Sequence, residues 1–303
     1  MRKSTILKIG VLIFMLLAIF SFSSCKKGDD KEHIINDSFE SISITGKTAD
    51  IEFIPSDTCK VVLTEKANLT YEVSVSDGEL KISLNDTRKW YQRLFDFGSS
   101  KISLYLPLGE YGTLKIESST SNTHIPKDFS FSSVEIAQST GDVSFFASVS
   151  QDAKITTSTG DIEVKSSSLG ALSLAVSTGD VSVSDTRCDG DISITVSTGN
   201  VNLSNASCKN LTSVGNTGDI DLNGVIASET FSIERSTGDV CFDSCDANEI
   251  FVTTDTGDIE GSFLTDKIIF ASTDTGKVDI PKLTSGGKCE LTTDTGDIKI
   301  AIK

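Results

Sequence analysis

The chain is 303 residues long, with 43 acidic against 27 basic side chains, a formal charge of −16 and 7% aromatics. A surface this acidic repels nucleic acid and anionic lipid headgroups, and serves the solubility of a long β surface. The two histidines, His33 and His124, leave a serine hydrolase, a Cys–His enzyme or a histidine metal site with nothing to build on.

In chain order, residues 1–24 come first. Arg2, Lys3 and Lys8 precede or enter an apolar run from Ile9 to Phe22 with the length and flank of a signal h-region. Phe22-Ser23-Ser24-Cys25 resembles the bacterial lipobox, with Phe22 where leucine is usual. The expectation is cleavage before Cys25 and lipidation there, giving an outer-membrane lipoprotein held to the membrane through Cys25. An uncleaved N-terminal anchor is the alternative, and both place the body outside the cytoplasm. Removal of residues 1–24 takes away three basic side chains and no acids, moving the charge from −16 to −19. Residues 25–37, the lipidated Cys and the twelve residues after it, read as a flexible tether. Within it Lys26-Lys27-Gly28-Asp29-Asp30 resembles the acidic motifs that send some Bacteroidetes-type lipoproteins to the outer face of the outer membrane.

Residues 38–128 read as a less regular β region. Ile42 to Ile44, Asp50 to Phe53, Lys60 to Thr64, Tyr71 to Ser76, Leu80 to Leu84, Ile102 to Leu106 and Leu114 to Ile116 are short strands, and Asp77-Gly78 marks a hairpin. Between them, residues 87–100 interleave Trp90, Tyr91, Leu94, Phe95 and Phe97 with Arg88, Lys89 and Arg93. This segment is either a cap over the end of a hydrophobic column or a docking loop in which Trp90, Tyr91, Phe95 and Phe97 meet a partner. Ser118 to Ile125 lies about one repeat ahead of Gly141 and reads as a rung that lost its glycine.

Residues 129–303 carry nine repeats. Ser-Thr-Gly-Asp or a close variant recurs at Gly141, Gly160, Gly179, Gly199, Gly218, Gly238, Gly257, Gly276 and Gly296, always 19 or 20 residues apart. So short a unit cannot bury a core alone and must stack on its neighbours. Apolar residues fall two and four positions after each glycine, as in Val181/Val183, and seven and five before it, as in Ile192/Ile194. This period of two predicts two strands per rung, with Thr-Gly-Asp as the turn and Asp bonding nearby backbone. The fold class is therefore all-β, a single-stranded β-solenoid with parallel pairing between rungs, on the order of 40 Å long. Ser213, Gly215 and Gly261 break the pattern locally.

Of seven cysteines, Cys188, Cys208 and Cys245 lie seven to nine residues after a repeat glycine, in a column shared with Val149, Leu169, Ile226, Leu264 and Leu283. There Cys acts as a small buried hydrophobe. Cys188 and Cys208 stack about 4.8 Å apart, a spacing that a disulfide permits. Cys289 fits the inward column, and Cys241 faces outward as a free thiol. No paired CxxC spacing suggests zinc. The post-glycine aspartates would stack into a carboxylate ladder, and Asp255, Asp258, Asp274, Asp294 and Asp297 are its candidate Ca²⁺ ligands. Asn200 and Lys277 interrupt that ladder and turn formation explains the aspartates, so no metal and no cofactor are expected. The three Asp-Thr-Gly tripeptides are repeat turns and not an aspartic protease motif.

Residues 35 to 303 resemble a bacterial β-strand-repeat family of unknown function that carries an adhesin label. The resemblance rests on Phe39 to Ile44, Ala49-Asp50-Ile51-Glu52, Val75-Ser76-Asp77-Gly78-Glu79-Leu80, Ile102-Ser103-Leu104-Tyr105-Leu106-Pro107 and the serial turns. It implies a cell-envelope role and transfers no site residues. The reading is a non-enzymatic, lipid-anchored envelope protein that serves adhesion or protein interaction, with an unknown protein or glycan as ligand. A periplasmic sensor or scaffold in envelope-stress signalling and a polysaccharide-binding or polysaccharide-active solenoid are the alternatives.

Overall fold

The computed structural model describes residues 29–65, 69–86 and 100–303. These residues form strands and turns, with no helix among them. In a typical repeat a long strand, Ser168–Thr178, ends at the turn and a short strand, Val181–Ser184, comes after it. Successive rungs pair in parallel, for example Leu172 with Ile192 and Val181 with Val201. The product is a parallel β-solenoid of two sheets with 14 strands each. At about 4.8 Å per strand the rod is roughly 60 Å long. It exceeds the expected length because residues 41–125 add layers of their own: Thr123–Ile125 pairs with Val143–Phe145, as a rung without its glycine should. Both sheets cross residue 128 without interruption.

Period-two alternation produces the core. Val181, Val183, Ile192, Ile194, Val201, Phe231 and Ile250 are all buried between the sheets, while their neighbours in sequence point outward. The turn glycine is required twice over. At Gly179 φ is +140°, and a Cβ would stand 2.2 Å from the carbonyl oxygen of Gly160 in the rung beside it. Only a residue without a side chain lets the turns stack this closely.

Stacking order departs from sequence order at both ends. Ser41–Thr45 pairs with both Glu79–Asp86 and Glu110–Thr120, so the first rung in sequence lies inside the stack. Gly287–Thr295 likewise lies between Glu249–Thr256 and Lys267–Thr275. Gly287 makes room for this insertion, since a Cβ there would stand 2.1 Å from the carbonyl oxygen of Asn248. The buried Lys267 pairs with Gly287 across the sheet and clasps the arrangement: its Nζ donates to Asp246 Oδ1 at 2.6 Å and to Thr265 Oγ1 at 2.5 Å.

The two ends are closed differently. At the N-terminal end Lys60–Glu65 runs antiparallel on Ser100–Leu106, and Leu69–Ser76 forms a hairpin with Glu79–Asp86 through Asp77 and Gly78, both at positive φ. At the C-terminal end the outer strand of one sheet, Val278–Asp279, is two residues long, with Lys277 before it and Pro281 shortly after. A short strand bracketed by Lys and Pro is a poor template for further pairing.

Two expectations are corrected. Residues 25–37 were expected to be a tether throughout, but Asp29–Ile34 is a strand paired antiparallel with Lys60–Glu65. Asp30 Oδ1 accepts from Thr64 Oγ1 at 2.7 Å, and Lys60 lies 3.4 Å from Glu32. An edge strand of this kind is held by backbone bonds, which polar side chains do not oppose. The apolar corner holds at Val149, Leu169, Cys188 and Cys208, but Ile226 is 38% and Leu264 is 44% exposed. Ala227 pairs with Cys208, and Cys245 pairs with Phe263 in the other sheet. A one-residue change in loop length reverses which side chain points inward. Leu283 is half-buried and lies outside any strand.

Candidate interaction surface

The turn aspartates form a continuous ladder with a structural task. Oδ1 of each accepts the backbone N–H of the equivalent residue in the next layer. The series runs Asp50, Asn122, Asp142, Asp161, Asp180, Asn200, Asp219, Asp239, Asp258 and Asp297 to the N–H of Lys277, at 2.7 to 3.0 Å. The expected local turn bond is thus a bond between layers, and Asn at 122 and 200 continues the ladder without interrupting it. Since the bond needs one carbonyl-type oxygen, Asp161→Asn should stay within about 0.5 kcal/mol of the native stability. Asp161→Ala should lose about 1–2 kcal/mol, because the N–H of Asp180 loses its acceptor. Urea denaturation of the two variants checks this.

The calcium candidates are explained by the same geometry. Asp258 and Asp297 belong to the ladder, while Asp255, Asp294 and Asp274 stack on the column two residues before the glycines, all exposed. Among the described residues no group of three or more His, Cys, Asp or Glu side chains is placed to hold a metal ion.

Cys188 and Cys208 are free thiols. Cys188 Sγ is turned to the backbone carbonyls of Gly170 and Asp191, at 3.3 and 3.5 Å, and not to Cys208. Cys241 lies in a concavity of about 490 Å³ whose lining includes Asp221, Asp243, Glu260 and Lys299. Partial burial, then the charges of Asp221 and Glu260, push its thiol up to about 11. Burial pushes Cys208 and Cys289 up to about 12. A raised thiol pKa leaves the unreactive protonated form dominant at neutral pH, so none of these is poised as a nucleophile. Among the six described cysteines, iodoacetamide at pH 8 should label Cys59 and Cys241 slowly, and Cys188, Cys208, Cys245 and Cys289 only on unfolding. Peptide mass mapping reads the pattern.

The face free of such duties is the outer side of the long-strand sheet. Residues two, four and six before each glycine point outward and stack in register. In three central rungs they are Ser173, Ala175 and Ser177, then Ser193, Thr195 and Ser197, then Thr212, Val214 and Asn216. None is charged, on a chain whose net charge is −16. Thr140, Thr159, Thr178, Thr198, Thr217, Thr237 and Thr256 run along its margin, in register and exposed. The result, over these three rungs, is an uncharged patch rich in small hydroxyl-bearing side chains, flanked on the turn side by the acidic ladder; in the rungs beyond it the same columns carry Glu135, Lys154, Glu234, Asp255 and Glu290.

A family model described as Toastrack DUF4097 matches residues 39–195 and 187–303. The chain belongs to the Toastrack DUF4097 family. A solved structure described as a "putative adhesin" from Parabacteroides merdae resembles this Toastrack chain with a TM-score of 0.52 at 15% identity, over 91% of this chain and 97% of its own. At that identity the likeness shows a shared fold. A second structure, a "putative adhesin" from Bacteroides fragilis, has a TM-score of 0.45 at 15% identity, over 91% and 98% of the two chains. No curated protein matches the sequence.

Of the residues singled out in the Toastrack sequence, Cys25 and the group Trp90, Tyr91, Phe95 and Phe97 lie outside the described residues. Sequence reasoning missed the hydroxyl face. Its residues are recognisable as outward by parity, but their common smallness appears only when the repeats are aligned on their glycines. It also missed Arg235, which stands on the inward parity between Gly215 and Thr254 of the adjacent rungs.

Proposed function

We propose that this Toastrack chain is a non-enzymatic interaction scaffold of the bacterial cell envelope, anchored at Cys25 and serving adhesion through the outer face of its long-strand sheet. The observation that carries the reading is the uncharged hydroxyl surface of the central rungs. A rigid parallel sheet there offers hydroxyl donors and acceptors at one spacing across three successive layers, with the threonine column of the margin continuing beyond them. Repetition lets many weak contacts to a repetitive partner, such as a glycan or a neighbouring surface, act together. The adhesin description of the Parabacteroides merdae structure supports the same reading.

The test combines location and contact. Protease shaving of intact cells, with a periplasmic control protein, should remove the chain, and mass analysis should find an acylated Cys25. Ser177→Arg combined with Thr195→Arg changes two outward positions, so melting should be unchanged while attachment of expressing cells to glycan- or protein-coated surfaces falls. Protection from protease overturns the surface location. Native attachment by the folded double variant overturns the assignment of the face.

A further inference from the structure

Two irregularities of the repeat, Ser213 and Gly215, share the inward face of one strand, and a third, Arg235, pairs with Gly215 from the next rung. Three residues before the turn glycine, other rungs place Thr157, Val176, Val196, Thr254 and Thr293. The threonines among them donate to glycine carbonyls and are satisfied. Arg235 is not. It is 3% exposed, and its side chain lies over Gly215, where a Cβ would stand 1.8 Å from Nη1. Nη1 donates to the carbonyl of Val196, two rungs away, at 3.0 Å. Nε and Nη2 have no partner, and neither does the buried Oγ of Ser213. The Coulombic influence on Arg235 comes from Asp219, with no ion pair among the described residues.

A guanidinium keeps its proton in proteins, so a buried one must find acceptors and, at best, a counter-charge. Glycine at 215 and serine at 213, where neighbouring rungs have Val196, Ile194 and Ile233, give up apolar volume around it. We propose that this interior position binds a small monovalent anion of the halide class, held by Nε and Nη2 of Arg235 and the hydroxyl of Ser213. The unpartnered nitrogens are all donors, which selects an acceptor, and enclosure between two sheets selects one of atomic size. Water could accept the same bonds but would leave the charge uncompensated. The bound anion joins the rungs of Ser213 and Arg235, and the Nη1 bond to Val196 adds the rung before them.

Bromide-soaked crystals of the protein should show an anomalous peak within hydrogen-bond distance of Nε and Nη2. The melting temperature should rise with chloride, saturably and on the order of 5 °C, relative to gluconate at equal ionic strength. Arg235→Met should abolish the rise and Ser213→Ala should shift it to higher chloride. Ordered water with no bromide peak, or the same rise in gluconate, overturns the proposal. If Arg235→Met does not fold, the bromide peak and Ser213→Ala decide the matter.

Discussion

Gly179→Ala should lower stability by on the order of 4 kcal/mol, far more than glycine-to-alanine changes elsewhere in a strand protein. Two costs combine. An L-residue at φ +140° is strained by its own carbonyl geometry, and the new methyl meets the carbonyl oxygen of Gly160 at 2.2 Å. Neither cost can relax separately, because the N–H of Gly160 bonds Thr178 O and the N–H of Gly179 bonds Thr198 O, at 3.0 Å each. Moving one turn pulls on both neighbours. Gly109 provides the control: it has no positive φ and open space where a Cβ would stand, so Gly109→Ala should be within about 0.5 kcal/mol of native. Guanidinium denaturation monitored by circular dichroism gives both values. A repeat array can also lose cooperativity, so hydrogen exchange should show protection lost first in the layers around Gly160, Gly179 and Gly199. Equal stability of the two variants would mean that the turns do not stack as described.

Most of the regular solenoid was legible in the sequence because a stacked repeat translates pattern into place directly. Residues 19 or 20 apart become neighbours, so the parity that puts Val181 and Val183 inward also predicts their pairing with Val201 and Leu203. The hairpin at Asp77-Gly78 was legible for a local reason, since its turn needs positive φ twice. What spacing does not encode is stacking order. The rung of 287–302 has the same period as its predecessors, yet it inserts ahead of 267–279, and the cues are the room left by Gly287 and the clasp of Lys267 on Asp246. Asp29–Ile34 was missed because an edge strand can be polar on both faces. The aspartate ladder was recognised as a column, but the direction of its bonds depends on the offset between adjacent turns. The hydroxyl face and the Arg235 interior share one physical reason for being missed. Each is a property of several rungs together, and no single repeat contains it.

Ile155→Asp should cost on the order of 6 kcal/mol, enough to unfold a domain of ordinary stability. The estimate combines roughly 2–3 kcal/mol of lost apolar burial with several more for a carboxyl that has no partner in the core. Ile155 is fully buried and pairs with Ile136 and Leu174, neither of which carries a charge. Val183→Asp tests the short-strand sheet in the same way, between Val164 and Leu203. Thr156→Asp is the control one residue away: it faces outward between Ala137 and Ala175 and should change stability by no more than about 0.5 kcal/mol. The pH dependence separates burial from simple disruption. Burial raises the folded-state pKa of the introduced carboxyl above its unfolded value of about 4, so the variant is least compromised below pH 4. As pH rises from there to the folded pKa, its deficit against the native chain should grow by about 1.4 kcal/mol per unit. A deficit that shrinks with rising pH, or a Thr156→Asp variant as damaged as Ile155→Asp, would place position 155 outside the core and undo the inward assignment of its whole column.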